Sequence, residues 1–333
     1  MKPTIKDVAK HAGVSVATVS RIVNGLSGYS NETRDHVLKI IKELGYKPNE
    51  VARNLVNRKT NTIGVLVPKL SSSFSARLLQ GIERVSHQNQ YTVFVCNTDS
   101  SGTRTLEYLK LLSEKQVEGI VFASKYLTNE YYEAISSLQI PTVIVSSFSK
   151  RKELPFLKVN DEEAAYAATE YLIKKGHQRV AMISGPKKDL IAGLPRIIGY
   201  HRALSDHHFD LDENLMAYGD FTYTSGYRAI EQLLKKDPNV TAVFAASDEM
   251  ALGVISYCYE KGIRIPDQLS VIGYDDTELA QMSTPPLTTV HQPIQKMGEK
   301  AVETLIKMGK GEKVESRFLP FSIIERLSTR TIR

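Results

Sequence analysis

The stretch TIKDVAKHAGVSVATVSRIVN, residues 4 to 24, decides how the rest of the chain is read. Ile5, Val8, Ala9 and Ala12 recur at helical spacing, and Thr4 stands where an N-cap belongs. Gly13 supplies a turn, Val14 points inward, and Ser15 caps a second helix whose buried face is Val19, Ile22 and Val23. The opposite face offers Ser15, Val16, Ala17, Thr18, Ser20 and Arg21, which are small, hydroxylated or cationic and suit a DNA major groove. Short helix pairs are common, so this pattern alone leaves DNA binding and a purely structural helix pair both open.

Charge placement favours the first. The 333 residues carry a formal net charge of +6, with 11 Lys or Arg against 5 Asp or Glu in residues 1–60 and 32 of each sign in the remainder. All the excess positive charge therefore sits with the helix pair, where phosphate contacts that release counterions need it. The two cysteines, Cys96 and Cys258, lie in the apolar runs TVFVC and VISYCY without a Cys-x-x-Cys or His neighbour, which predicts buried free thiols. No apolar signal region follows Met1, and no apolar run approaches the roughly 18 residues needed to span a bilayer, so a cytoplasmic protein without membrane partners is expected.

Beyond the helix pair, Ser30 starts a third helix with Val37, Ile40, Ile41 and Leu44 on one face, ending at Gly45 before Pro48. Residues 47–61, KPNEVARNLVNRKTN, carry Val51 and Leu55 four apart, too little apolar surface for a free helix of this length. A solvated linker and a helix that forms only on DNA with a partner copy both fit. From Thr62 the texture changes. Apolar β-rich runs at 62–67, 91–95, 119–123, 141–145, 179–183, 241–246 and 269–273 alternate with helical stretches at 75–88, 103–116, 162–175, 196–207, 225–236 and 248–261. Such alternation predicts an α/β core of two doubly wound parallel-sheet lobes, with strands buried on both faces and a ligand site at their carboxyl ends, in the cleft between lobes.

Catalytic signatures are missing. No Gly-x-Gly-x-x-Gly follows the first strand, and no Walker loop, Gly-x-Ser-x-Gly elbow or His-Glu-x-x-His occurs, so neither an enzyme nor a nucleotide cofactor is expected. His207 and His208 adjoin at a predicted helix end with no Cys or carboxylate at ligand spacing, which favours capping over a metal. Asp248–Glu249 and Asp275–Asp276 follow predicted strands and read as caps or ligand contacts.

Taken in order, IKDVAKHAGVSVATVSRIVN, LGYKPN, VARNL, ASDEMALG and VIGYDDTELAQMSTPPLTTVHQP resemble the LacI/GalR family of bacterial transcription regulators, a likeness running from the first residues to about Gly309. The resemblance implies an all-α helix-turn-helix headpiece at 1–46, a hinge helix or linker at 47–60 and a periplasmic-binding-protein-like core at 61–333. The core would comprise an N-lobe of about 61–160 plus 293–318 and a C-lobe of about 161–292 plus 319–333. It implies a dimer on a near-palindromic double-stranded operator, most simply a repressor, with a sugar or sugar phosphate as effector. The chain ends at Arg333 without a heptad tail, so a homodimer is expected over a tetramer.

By the same resemblance, Ser15, Val16, Ala17, Thr18 and Arg21 would read bases, Arg21 being the one suited to guanine. Thr4, Ser20, Asn24, Ser30, Thr33, Tyr46 and Asn49 would touch phosphates or fix the headpiece. Leu55 would wedge into the minor groove beside Ala52, with Val51 near its symmetry mate. Phe74, Arg196, Phe221, Ser247 and Asp275 would hold the effector, with Ser147, Asn160, Asp161 and Gln292 as weaker candidates. Ser247 stands where the family commonly has Asn, which leaves room for a larger ligand or a water. A catabolite-control branch of the family, which uses a phosphorylated carrier protein as corepressor, also resembles the chain in SVATVSRIVN and DEMALGVI. Glu303, in MGEKAVETLI, occupies a place where an arginine would be expected and weighs against it. A solute-binding protein or an enzyme of sugar metabolism would use only the core and leaves the basic headpiece unexplained.

Overall fold

Three valines organise the amino-terminal helices. Val8, Val19 and Val37 are each fully buried, one from α1 (Ile5–Ala12), one from α2 (Val16–Val23) and one from α3 (Asn31–Leu44). Ile5, Val14, Val23, Ile40, Ile41, Leu44 and Tyr46 pack round them half-buried. Each helix start is fixed by a side chain. The Asp7 carboxylate accepts from the Thr4 amide (2.8 Å) and hydroxyl (2.7 Å), Ser15 Oγ accepts from the Thr18 amide (3.0 Å), and Ser30 Oγ accepts from the Thr33 amide (3.1 Å). Gly13, at φ 64°, takes the left-handed turn that reverses the chain between α1 and α2.

This computed structural model describes residues 3–46, 60–99 and 102–332. The chain forms two units, Met1–Thr60 and Asn61–Arg333. Asn49, Val51, Ala52 and Leu55 lie outside the described residues.

The second unit is built from two six-stranded sheets. The first runs β11-β5-β4-β3-β1-β2 and comprises β1 (Thr62–Val67), β2 (Thr92–Asn97), β3 (Gly119–Ala123), β4 (Thr142–Val145), β5 (Phe156–Val159) and β11 (Arg317–Leu319), all parallel. The second runs β12-β10-β9-β8-β6-β7, from β6 (Val180–Ser184), β7 (Met216–Tyr218), β8 (Ala242–Ala245), β9 (Ser270–Asp275), β10 (Thr288–His291) and β12 (Ser322–Ile324). Among the described residues only the β10–β12 pair is antiparallel. The crossover helices α4 (Ser73–Gln88), α5 (Thr105–Glu114) and α6 (Asn129–Leu138) serve the first lobe. In the second lobe α7 (Asp161–Lys174), α8 (Gly193–Asp206), α9 (Tyr223–Lys236) and α10 (Asp248–Glu260) do the same, followed by the short α11 (Glu278–Met282).

The chain passes between lobes three times, at 160, at 292–293 and at 320–321, because α12 (Ile294–Gly309) returns to pack on α4 in the first lobe and β11 completes that sheet before β12 joins the other. Strands β3, β4, β6, β8 and β9 are wholly buried, which explains the predominance of Val, Ile, Ala and Phe in them. Burying each such side chain contributes roughly 1.5–3 kcal/mol before the entropy of ordering is set against it. Strand β2 departs from the expected two-sided burial. It is an edge strand, and Phe94 and Val95 are exposed although Cys96 is buried. Both cysteines are free and buried.

Candidate functional site

Two places gather the candidate residues, one in each unit. In the headpiece, α2 buries Val19 and Ile22 and leaves Ser15, Val16, Ala17 and Arg21 exposed on its other side, with Val16 42 % accessible. Thr18 and Ser20 are half-buried. The Thr18 hydroxyl lies 2.9 Å from Ser15 Oγ, so both side chains stiffen the first turn of the helix as well as facing outward. Asn24 turns its side-chain amide back on the helix, donating to the Ser20 carbonyl at 2.8 Å, so it secures the end of α2. Thr4, Ser30 and Thr33 likewise hold helix starts, and Tyr46 packs half-buried against the helices.

In the core, the helix that follows β1 meets the segments that follow β8 and β9, through Ser73 with Glu249 and Arg77 with Asp276. Arg196, an expected effector contact, lies on α8. It is buried, and each of its three nitrogens donates to the protein: Nε (3.0 Å) and Nη2 (2.8 Å) donate to Asp161 Oδ1, and Nη1 donates to the Ala246 carbonyl. The guanidinium lies over the Tyr274 ring at 3.6 Å and 5.8 Å from the Phe221 ring centre. Asp161 also accepts from the Tyr274 hydroxyl at 3.0 Å and pairs with Lys158 Nζ at 3.0 Å. Lys158 is itself buried and donates to the Ile191 carbonyl at 3.2 Å. Because Lys158 belongs to β5 while Asp161, Ile191, Arg196 and Tyr274 belong to the second lobe, the network spans the first interlobe crossing. Burial works against the Arg196 charge, yet Tyr274, Asp161 and Asp275 hold its pKa above the usual arginine range.

Asp275 ends β9 at φ 113° and Asp276 follows at φ 53°. Two consecutive non-glycine residues at positive φ are strained, and the fixed partners around them maintain it. Gln292 donates to Asp275 Oδ1 at 2.7 Å. Asp276 accepts from Arg326 (2.6 Å) and pairs with His291 (2.8 Å), and its main-chain carbonyl accepts from Arg77 of α4. Burial, with the neighbouring Asp248 adding to it, pushes the Asp275 carboxyl well up, although Arg196 counters it. Asp248 accepts from the Thr277 amide (2.7 Å) and hydroxyl (2.9 Å) and from Thr289 Oγ1 (2.6 Å), and burial raises it too. Ser247 is buried at the start of α10. Its hydroxyl caps α10 through the Met250 amide (3.1 Å) and donates to the Phe221 carbonyl (3.3 Å).

Phe221, at φ 65°, lays its ring against the Gly185 backbone half-buried. Phe74 is half-buried on the opposite lobe in the first turn of α4, whose Ser73 amide donates to Glu249 of α10 across the cleft at 3.2 Å. Ser147, after β4, is buried with no partner for its hydroxyl among the described residues, and Asn160 caps α7. Lys158 and Tyr274 escaped the sequence reading. The available signal was the single charge inside FLKV, three residues ahead of Asp161, since a lysine in a buried strand requires a carboxylate within reach. Burial also lowers the Lys125 ammonium, against the pull of Asp99 in its own lobe and Asp189 in the other. Among the described residues no group of three or more His, Cys, Asp or Glu is arranged to hold a metal ion.

Residues 4–49 match the family described as bacterial regulatory proteins, lacI family, and residues 169–329 match a periplasmic binding protein-like domain. Catabolite control protein A of Priestia megaterium is 39% identical over 332 residues, 99% of this chain and 100% of the relative. Among solved structures, the lac repressor dimer bound to operator and the anti-inducer ONPF is 29% identical with a TM-score of 0.90, covering 99% of this chain and 100% of that one. A transcriptional regulator CelR–cellobiose complex is 32% identical with a TM-score of 0.74, covering 98% and 99%. A capped helix-turn-helix with an exposed second helix, joined to two parallel-sheet lobes and matched over nearly its whole length, places the chain: it belongs to the LacI family and is a DNA-binding transcription regulator, not an enzyme.

Proposed function

We propose that the chain is a cytoplasmic repressor that binds a near-palindromic operator as a homodimer and answers to a sugar or sugar phosphate in the interlobe cleft. The observation that carries the reading is the exposed face of α2, rigidly capped and packed behind, in the only net-positive part of the chain. Ser15, Val16, Ala17, Thr18 and Arg21 read bases, while Thr4, Ser20, Asn24, Ser30, Thr33, Tyr46 and Asn49 position the headpiece. Val16 and Ala17 contribute only apolar contact, so base discrimination falls largely to Arg21 and to DNA deformation by Leu55 beside Ala52. The effector site uses Phe74, Arg196, Phe221, Ser247 and Asp275, with Arg196 acting as a wall braced by Asp161. That the CelR neighbour is a complex with cellobiose supports a sugar-like ligand.

Apolar side chains left uncovered on one copy support the dimer: Phe94 and Val95 on the β2 edge, and Tyr259 and Met282, 87% and 73% accessible, on the second lobe. No helix among the described residues is long and apolar enough to cross a membrane. Ligand in the cleft changes operator affinity by its differential affinity for the two lobe arrangements.

Selection from a randomised duplex pool, followed by gel-shift at fixed salt, tests the reading. The selected site is to be palindromic, Leu55→Ala is to lose preference for it while still sedimenting as a dimer, and Arg196→Ala is to bind it but lose the response to any sugar that stabilises the core. An asymmetric site bound by one copy refutes the dimeric reading. The similarity to catabolite control protein A favours a second reading, in which a phosphorylated carrier protein is the corepressor. Exposed Glu303 on α12 opposes it, and failure of the phosphorylated carrier to raise operator affinity rejects it.

A further inference from the structure

The end of α2 and the loop behind it are arranged round one side chain. Arg21 is exposed, and no carboxylate pairs with its guanidinium among the described residues. The loop nevertheless closes on it. The Leu26 amide donates to the Arg21 carbonyl at 2.9 Å, and the Gly25 amide donates to the Ile22 carbonyl at 3.2 Å, so residues 25–28 curl round the last turn of the helix. Gly28 then passes at φ +111°, and Nη1 of Arg21 lies only 3.0 Å from the point that a Cβ on Gly28 would occupy, with Cζ at 3.9 Å. Gly25, at φ +65°, has nothing within 4 Å of its own Cβ position. The two glycines therefore differ in kind. Gly25 serves the turn alone, whereas at Gly28 the missing side chain also leaves the space beside which the guanidinium lies.

We infer that Gly28 is a specificity-determining residue that positions Arg21 for base reading. An arginine carries many rotamers, and a bidentate contact to a guanine edge requires one of them. The absence of a side chain at Gly28 leaves room for the rotamer that the fork adopts. A Cβ at Gly28, 3.0 Å from Nη1, crowds that rotamer and displaces the fork from it. The inference rests on the proposed base-reading role of Arg21.

The test uses the full chain and the duplex selected by the wild type from a randomised pool. The base pair whose preference Arg21→Ala abolishes is identified first. Discrimination at that pair, the affinity ratio for the selected over the substituted duplex at fixed salt, is then measured for Gly28→Ala, Gly25→Ala, Arg21→Ala and the double variant Arg21→Ala/Gly28→Ala. Gly28→Ala is to lower discrimination on the order of tenfold, the scale of one bidentate contact, with little change in affinity for the substituted duplex. Gly25→Ala, which strains the backbone without touching Arg21, is to keep wild-type discrimination, and Gly28→Ala is to add nothing once Arg21 is gone. If alanine at 28 unfolds the headpiece, Gly28→Asn repeats the measurement with a residue that tolerates positive φ better. Unchanged discrimination in the Gly28 variants, an equal loss in Gly25→Ala, or a further loss in the double variant overturns the inference. If Arg21→Ala selects the wild-type site, the base-reading role itself fails, a result distinct from these.

Discussion

Removing the Asp161 carboxylate is expected to unsettle the core more than removing Arg196, the residue it holds. Asp161 receives Arg196 Nε at 3.0 Å and Nη2 at 2.8 Å, the Tyr274 hydroxyl at 3.0 Å and Lys158 Nζ at 3.0 Å. In Asp161→Ala, two buried cations, Lys158 and Arg196, lose their shared counter-charge, and breaking a buried pair in this way costs about 3–5 kcal/mol. In Arg196→Met, Asp161 keeps Lys158 and Tyr274, so the loss is closer to about 1–3 kcal/mol, the cost of leaving buried hydrogen-bonding groups unpaired. For a unit of this size each kcal/mol moves the melting temperature by roughly 2–4 °C, giving shifts of about 6–20 °C for Asp161→Ala and about 2–12 °C for Arg196→Met. Calorimetry of the full chain at pH 7, following the core transition, measures both. A shift below about 3 °C for Asp161→Ala, or a larger shift for Arg196→Met than for Asp161→Ala, refutes the reasoning.

Asp275→Asn is expected to stabilise the core while abolishing the effector response. Burial pushes the Asp275 pKa up to about 8, so between about pH 4 and 8 the unfolded chain has released a proton that the folded chain retains, and wild-type stability falls as pH rises through that window. The advantage of the asparagine variant is therefore to grow from about pH 4 to 8 and level off above, and a difference that is constant with pH in urea titrations contradicts it. His177 behaves oppositely. Buried between Thr241 Oγ1 (3.0 Å) and the Arg330 carbonyl (3.2 Å), it has a lowered pKa, so its contribution is intact above about pH 6.5 and is lost as pH falls below that. His177→Gln is to flatten the acid side of the stability profile; an unchanged slope below pH 6.5 counts against it. Val19→Ala removes two fully buried methyl groups from the centre of the headpiece, costing about 2 kcal/mol, and is to weaken operator binding and speed proteolysis within residues 1–46 without moving the core transition. A shift of the core melt would show that the two units do not unfold separately.

Much of the fold was legible because burial writes itself into composition. Runs such as GIVFA and RVAMI become central strands covered on both sides, and their length and β-branching distinguish them from helices. The strands that escaped are short or interrupted: FLKV carries a lysine, MAY spans three residues, TTVH holds a single aliphatic residue, and RFL and SII pair only at sheet edges. Nothing local marks them, since their pairing depends on partners far away in sequence, Arg317 with Leu157 for example. The resemblance implied Arg196, and more weakly Asp161, as effector contacts, but not that the two pair. Asp161 reads as a helix-start residue, and only the folded chain brings α7, α8, β5 and β9 together so that one carboxylate meets two cations and a phenol. The exposed face of α2 was readable for the opposite reason: it depends on periodicity within eight residues.

The three passages between lobes also set the order in which the core can be completed. The first lobe opens with β1 at Thr62, yet its helix α12 and its edge strand β11 arrive only after β6 to β10 of the second lobe have been made. Until then the surface that Ile294, Met297, Ala301, Val302 and Leu305 cover stays open. During synthesis the lobe that emerges first therefore waits for its last helix and strand until β6 to β10 are made, and these have to fold while tethered to an apolar, incompletely sheathed neighbour, with β12 closing the second sheet later still. Truncation anywhere before residue 319 damages the first lobe, although the missing residues lie at the far end of the chain.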